Sequence, residues 1–239
     1  MKKLLMAASM AVCGFMVVGA AHAGEAEARK ALQDMLGDRA KVDVVRKSGI
    51  LGLYEAQIGG DIVYVDESGR YAFFGDVVDL KSRANLTEER KIKLSQIKFS
   101  DLPLNMAIKQ VRGNGKRVFA SFEDPNCGYC KKFARETQNM TDVTMYVFLY
   151  PILGADSMEK SRNILCSADP SKAWNEWMLN GVVPPLAPAK CDVSVEKYIA
   201  LGQKFNVRGT PNFILTDGNR IPGAIPQAQL EARLNALVK

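Results

Sequence analysis

Cys127 and Cys130, three positions apart in the stretch FEDPNCGYCKKF (122–133), are the residues of this sequence best suited to chemistry. Sulfurs at that spacing can close a structural bridge, supply half of a zinc site or work as a reactive dithiol. A disulfide across two intervening residues stabilises little, because loop-closure entropy grows with loop length. Zinc needs four ligands, usually as paired knuckles, and this chain has a single CxxC and one histidine, His22. The reactive reading gains from position. The pair follows the strand-like run RVFASF (117–122) and opens a stretch of helical periodicity. Unpaired N–H groups and the macrodipole at a helix start favour a thiolate. Lys131 and Lys132 add positive charge, so the first sulfur should titrate below the free value of about 8.5. The spacing puts both sulfurs on one helical face. Cys127, at the outer end, is the expected nucleophile, and Cys130, one turn inside, the expected resolving thiol.

Cys166 and Cys191 lie outside any CxxC. Bridging them would contribute roughly 3.5 kcal/mol on the chain-entropy estimate. They read as a structural disulfide, with a second redox centre as the alternative. RGTPNFIL (208–215) sets Pro211 directly before a strand, where it cannot donate a ladder hydrogen bond. A cis Thr210–Pro211 bond would turn the chain sharply and leave neighbouring backbone groups free for an extended peptide. An ordinary trans proline at a strand start is equally open from these residues alone.

Compartment decides between reactive and inert thiols. Lys2 and Lys3, the apolar run from Leu4 to Ala20 and Ala21-His22-Ala23 read as a secretory signal peptide cut after Ala23. Gly14 and Gly19 break the run and polar GEAEARK begins at Gly24, which argues against a retained anchor; Val12 before Cys13 argues against a lipoprotein. No later stretch approaches the roughly 18 apolar residues of a spanning helix. Losing Lys2 and Lys3 takes the formal charge from +6 to +4, and that excess is spread along the chain. A solvated surface follows, not nucleic-acid binding. His22 leaves as well, which excludes a Ser-His-Asp triad, a Cys-His pair or a His-containing metal site in the mature chain. Of five cysteines four remain, an even number for an exported protein, and an oxidising compartment argues against inert thiols.

About 216 residues then suffice for two domains or one large one. Residues 24–39 read as a helix ended by Gly37, followed by strands at 41–45, 53–58, 61–65 and 71–80. This unit of residues 24–84 is small and marginal alone, and its edge strand invites pairing with another copy. Residues 85–112 read as a linker helix capped by Asn85, with Glu88 three residues on, interrupted at Pro103 and closed by Gly113 and Gly115. RGNGKR (112–117) lacks the GK[ST] ending of a phosphate loop and precedes a strand. From 113 to 239 the pattern alternates. A strand (117–122), a helix (130–140) and a buried parallel strand (143–150) precede a helical insert from about 157 to 205. Asp169 and Pro170 open a helix within that insert. A hairpin around Asp217-Gly218 and a final helix carrying Leu230, Leu234, Leu237 and Val238 close an α/β domain with a mixed sheet.

CGYC after a strand, TP before a later strand and a helical insert between them look like a thioredoxin-fold domain. The whole chain resembles the DsbC/DsbG family of periplasmic disulfide isomerases, with CGYC instead of the CPYC expected of DsbG-like members. The resemblance implies an α+β/α/β chain. Its thioredoxin-like catalytic domain follows a small cystatin-like dimerisation domain of helix plus antiparallel sheet. It implies Cys127 as attacking and Cys130 as resolving cysteine, with Gly128 and Tyr129 tuning redox poise. Thr210 and Pro211 would form a cis-proline loop facing the site, and Cys166 and Cys191 the structural disulfide. It further implies a V-shaped homodimer with an apolar cleft for misfolded disulfide-containing exported proteins. A DsbD-type inner-membrane reductant would keep the site reduced, with no organic cofactor and no metal. A dithiol oxidase and a DsbG-like periplasmic chaperone with secondary redox activity are the alternatives.

Overall fold

The computed structural model describes residues 20–238; the signal-segment expectation for residues 1–19 lies outside the described residues. The chain divides into two compact units between Lys91 and Ile92. In the first, helix α1 (Ala20–Leu36) lays Ala28 and Leu32 on a four-stranded antiparallel sheet. The strands β1 (Val44–Lys47), β2 (Tyr54–Ile58), β3 (Asp61–Val65) and β4 (Ala72–Phe74) lie in that order. Val45, Tyr54, Ala56, Val63 and Val65 face the helix and close the core.

The strand expected over 71–80 contracts to Ala72–Phe74, all of it exposed. Gly75, at φ +143°, turns the chain out of the sheet directly afterwards. Helix α2 (Leu86–Ser95) begins as its capping residues direct, with Asn85 Oδ1 accepting from the Glu88 N–H at 2.9 Å. Arg90 and Arg46 both pair with the nearly buried Glu55, fixing the amino-terminal end of α2 on the sheet.

The second unit is built on a mixed sheet in the order β5-β7-β6-β8-β9. Its strands are β5 (Ile108–Arg112), β6 (Arg117–Glu123), β7 (Val143–Leu149), β8 (Asn212–Leu215) and β9 (Arg220–Pro222). Central β6 runs parallel to β7 and antiparallel to β8, so both of its edges are paired, and from Phe119 to Glu123 it is buried on both faces. Phe119 packs on one side with Phe133, Phe213, Leu230 and Leu234; Ala120 and Phe122 pack on the other with Phe148, Tyr150 and Ile214. The near-continuous apolar run of β7 follows from the same double burial.

Three expectations are corrected here. The linker helix over 85–112 ends at Ser95, and 108–112 is instead the edge strand β5, paired antiparallel with β7. Ile108 and Gln110 point inward while Lys109 and Val111 face out, so a buried glutamine hides the period-two pattern. The helix expected at 130–140 is α3 (Gly128–Glu136), which starts two residues earlier and stops sooner. The insert is not continuous. Helices α4 (Ala155–Leu165), α5 (Pro170–Asn175) and α6 (Val195–Lys204) are separated by a π-helical turn (Glu176–Asn180) and a proline-bearing extended stretch. Asp169 caps α5 by accepting from the Lys172 N–H at 2.9 Å. Helix α7 (Gln227–Leu237) buries Leu230 and Leu234, packs Leu237 partly and leaves Val238 exposed.

Candidate active site

Strand β6 delivers the site and α3 carries it. The chain leaves β6 at Glu123 and turns through Asp124–Asn126, and Cys127 takes the N-cap position of α3. Its extended backbone (φ −69°, ψ 116°) points Sγ back over the first turn, where it accepts from the Cys130 N–H at 3.4 Å. The turn is held from several sides. The buried Asp124 carboxylate accepts from the Asn126 N–H (2.8 Å), the Ser157 hydroxyl (2.7 Å) and the Leu153 N–H (3.0 Å). The Asp124 carbonyl takes the Cys127 N–H at 3.1 Å. Trp177 Nε1–H donates to the Pro125 carbonyl at 2.6 Å.

Across from α3, the loop before β8 brings in Thr210 and Pro211, joined by a cis peptide bond. Cys127 Sγ lies 3.4 Å from the Thr210 carbonyl oxygen. Cys127, Cys130, Thr210 and Pro211 are thus gathered at one end of the sheet. Gly128 and Tyr129 are exposed between the two sulfurs, Tyr129 at 68%. Cys166 and Cys191 lie apart from the site, in the insert, as a disulfide with Cα atoms 6.0 Å apart.

The two free sulfurs have opposite electrostatics. Cys127 is drawn down to about 5, first by the hydrogen bond from the Cys130 thiol, then by one from Thr210 and by backbone N–H groups of Cys130 and Tyr129, against the cost of burial. Burial pushes the Cys130 thiol strongly upward, and its bond to Cys127 and the charge of Glu123 add to the effect. One sulfur is therefore a stabilised thiolate and the other a buried thiol donating to it. The thiolate expectation is met by these hydrogen bonds and not by the neighbouring lysines. Lys131 Nζ sits over the Trp177 ring at 3.9 Å, and Lys132 pairs with Glu136 at 3.7 Å.

Glu123 is a residue that sequence reasoning missed. It is 3% exposed, and burial raises its carboxyl to about 7, with the Ser121 hydroxyl bond (2.7 Å) partly opposing. A cavity of about 20 Å³, lined by Glu123, Gln110 and Asn175 among others, adjoins it. That is room for a single water among polar partners. Phe119, Ser121 and Glu123 occupy alternate positions along β6, and that periodicity was the available signal. Among the described residues, no group of three or more His, Cys, Asp or Glu side chains is arranged to hold a metal ion.

Comparison with known proteins agrees with this geometry. A family model described as a thioredoxin-like domain matches residues 104–237, and one described as the disulfide bond isomerase protein N-terminal domain matches 19–88. A Bordetella avium protein named probable thiol:disulfide interchange protein DsbC is 48% identical over 194 residues, 81% of this chain and 69% of its own. The chain belongs to the DsbC family. The thiol:disulfide interchange protein DsbC of Escherichia coli K12 is 28% identical across 93% of this chain and 95% of its own. Against the Bordetella parapertussis DsbC relative (49% identical), the chain spans 65% of the relative's length. A crystal structure of a disulfide interchange protein from Neisseria gonorrhoeae superposes with a TM-score of 0.53 at 38% identity, covering 56% of this chain and 97% of that one. The DsbC fold expected from sequence, a thioredoxin-like domain after a small amino-terminal domain, is the fold observed.

Proposed function

We propose that this chain is an exported thiol:disulfide isomerase and reductase that reshuffles wrong disulfides in other exported proteins through Cys127 and Cys130. The observation that carries the reading is the pairing of a thiolate drawn to about 5 with a buried thiol behind it. The Cys127 thiolate attacks one sulfur of a substrate disulfide. That S–S bond breaks, a mixed disulfide forms and the other substrate sulfur leaves as thiolate. In isomerisation the freed thiolate attacks a second substrate disulfide, and the thiolate released there displaces Cys127, so no electrons are gained or lost overall. In reduction, Cys130 gives its proton to Glu123 and attacks the Cys127 sulfur. The second substrate sulfur leaves as a thiolate, the two substrate thiolates take up protons from Glu123 and water, and Cys127 and Cys130 are oxidised to a disulfide.

Stabilising the Cys127 thiolate stabilises the reduced site and makes its disulfide more oxidising, a property that isomerases and dithiol oxidases share. The resting state, thiols for an isomerase and disulfide for an oxidase, is then set by the redox partner that is supplied. A DsbD-type inner-membrane protein is the class of partner that would return two electrons after each reduction. The signal-like segment, expected to be cut after Ala23, supports a periplasmic site for this activity. The exposed β4 edge, with Phe73 and Phe74 more than half exposed, supports pairing of two copies through residues 24–84. The stretch from α2 (Leu86–Ser95) to Ala107 would connect this unit to the catalytic part, whose sheet opens with β5 at Ile108.

Refolding of a scrambled disulfide protein by the mature chain tests the reading, together with thiol trapping in cells. Shuffling abolished by Cys127→Ser, with both cysteines trapped reduced, is the expected result. Unchanged refolding by that variant would make the protein a chaperone, and a resting Cys127–Cys130 disulfide would make it an oxidase.

A further inference from the structure

The amino-terminal unit contains a polar group that neither the fold nor the redox site uses. Tyr54, on β2, is 1% exposed with its ring in the core beside Ala28 and Leu32. Its hydroxyl has no hydrogen-bond partner among the described residues. A buried hydroxyl left so carries the full cost of desolvation, and native structures seldom keep one without use. The hydroxyl faces Gly24. A Cβ placed on Gly24 would lie 2.6 Å from Tyr54 Oη and 2.9 Å from Glu67 Cγ, so only glycine fits there.

Glu67 is held at this point by a well-defined turn. Asp66 accepts from the Ser68 N–H (3.1 Å) and the Tyr71 N–H (2.6 Å), and Gly69 closes back onto the Asp66 carbonyl at 3.0 Å. The same turn is seated on α1, since a Cβ on Gly69 would meet Glu27 O and Ala31 Cβ, each at 3.1 Å. A buried hydroxyl and the side-chain stem of an exposed glutamate are therefore brought to the backbone of one particular residue. That residue follows the small-residue site Ala21-His22-Ala23.

We propose that Tyr54 and Glu67 form a receptor for the α-ammonium group of Gly24, which exists only once the chain has been cut after Ala23. The inference rests on the export reading above. Cutting there makes Gly24 the first residue of α1, and a positive charge at a helix amino terminus is opposed by the macrodipole. The Tyr54 oxygen accepts one of its hydrogens and Glu67 supplies the opposite charge. Glu25 and Glu27 on the helix are of favourable sign, and Arg70 on the turn is the opposing cation. Removal of the leader thereby completes the core of the unit, whereas in the uncut chain the Tyr54 hydroxyl has no partner among the described residues.

Thermal unfolding of full-length mature protein starting at Gly24, and of the same protein extended by Ala-Ala before Gly24, tests this with and without Tyr54→Phe. The variant should lower Tm by a few degrees in the chain starting at Gly24. It should leave the extended chain unchanged or more stable, because there it only removes an orphan hydroxyl. In parallel, the α-amine of the Gly24 chain should be acylated at neutral pH about tenfold more slowly than in Tyr54→Phe, as one unit of stabilised ammonium implies. Equal Tm shifts in both chains, or equal acylation rates, overturn the receptor while leaving the export reading intact. The intact mass of the exported protein separates the two: a start at any residue other than Gly24 overturns the proposal at its premise.

Discussion

The Cys130 N–H lies 3.4 Å from Cys127 Sγ, and the Cys130 thiol donates to the same sulfur, so the resolving cysteine is also the main stabiliser of the attacking one. Replacing Cys130 by alanine removes the largest cause of the low Cys127 value and keeps the backbone donor. The midpoint of Cys127 alkylation against pH should then rise from about 5 by on the order of one unit, the worth of one hydrogen bond to a charged group. A midpoint left at about 5 would assign the effect to the helix terminus alone.

The depressed Cys127 value also sets a pH dependence of stability. A group lowered on folding from 9.0 to about 5 adds stability to the reduced protein. That contribution is complete above 9 and is lost as pH falls through 5. Denaturant unfolding of the reduced protein should therefore show its advantage over Cys127→Ser growing between pH 5 and pH 9. A flat difference across that window would contradict the assignment.

Glu123 behaves in the opposite sense. Burial raises its carboxyl from 4.5 to about 7, so the folded state binds the extra proton between those values and stability falls as pH rises through them. Glu123→Gln should make the protein more stable at pH 8, by roughly 3 kcal/mol as an upper bound, and leave it little changed near pH 4. Resolution of the mixed disulfide by Cys130 should slow by tenfold or more, with the first attack by Cys127 preserved, because the variant removes only the proton acceptor. Rapid-quench analysis of the mixed-disulfide lifetime reads this directly.

How far the sequence disclosed these features depends on the reach of each contact. Cys127, Cys130, Thr210 and Pro211 announce themselves because their chemistry is written in adjacent residues. The α2 cap at Asn85 and the α5 cap at Asp169 are local for the same reason. Glu123 is buried by elements far from it in sequence, among them Trp174 and Asn175, which line the adjoining cavity. The seat of Lys131 is hidden for a similar reason, since its ammonium group rests over the ring of Trp177, much later in the chain. Strand β5 escaped because Gln110 occupies an inward position and bonds to Asn175 at 3.0 Å; an apolar residue there would have shown the alternation.

The Cys166–Cys191 bridge joins the end of α4 to the extended stretch before α6, and Arg162 donates to the Cys191 carbonyl at 3.2 Å. Replacing both cysteines by alanine should cost roughly 3.5 kcal/mol on the chain-entropy estimate. The alkylation midpoint of Cys127 should not move, because neither sulfur touches the site. A loss of shuffling activity in a variant that is still folded would instead make this pair a second redox centre.

Asp124 supports the attacking sulfur without touching it. Its buried carboxylate accepts three hydrogen bonds that join the turn before α3 to the loop before α4. Asp124→Ala leaves the Leu153 N–H and the Ser157 hydroxyl without this acceptor and frees the turn that aims Cys127 over the helix start. A loss of about 3 kcal/mol is expected, in line with bonds to a charged acceptor. Ser157→Ala, which removes one of the three, should cost about 1 kcal/mol. The Cys127 midpoint provides the test of positioning over simple support. It should rise in Asp124→Ala and stay near about 5 in Ser157→Ala, because only the first variant frees the Asn126 N–H beside Cys127. Equal midpoints in the two variants would reduce Asp124 to a structural brace.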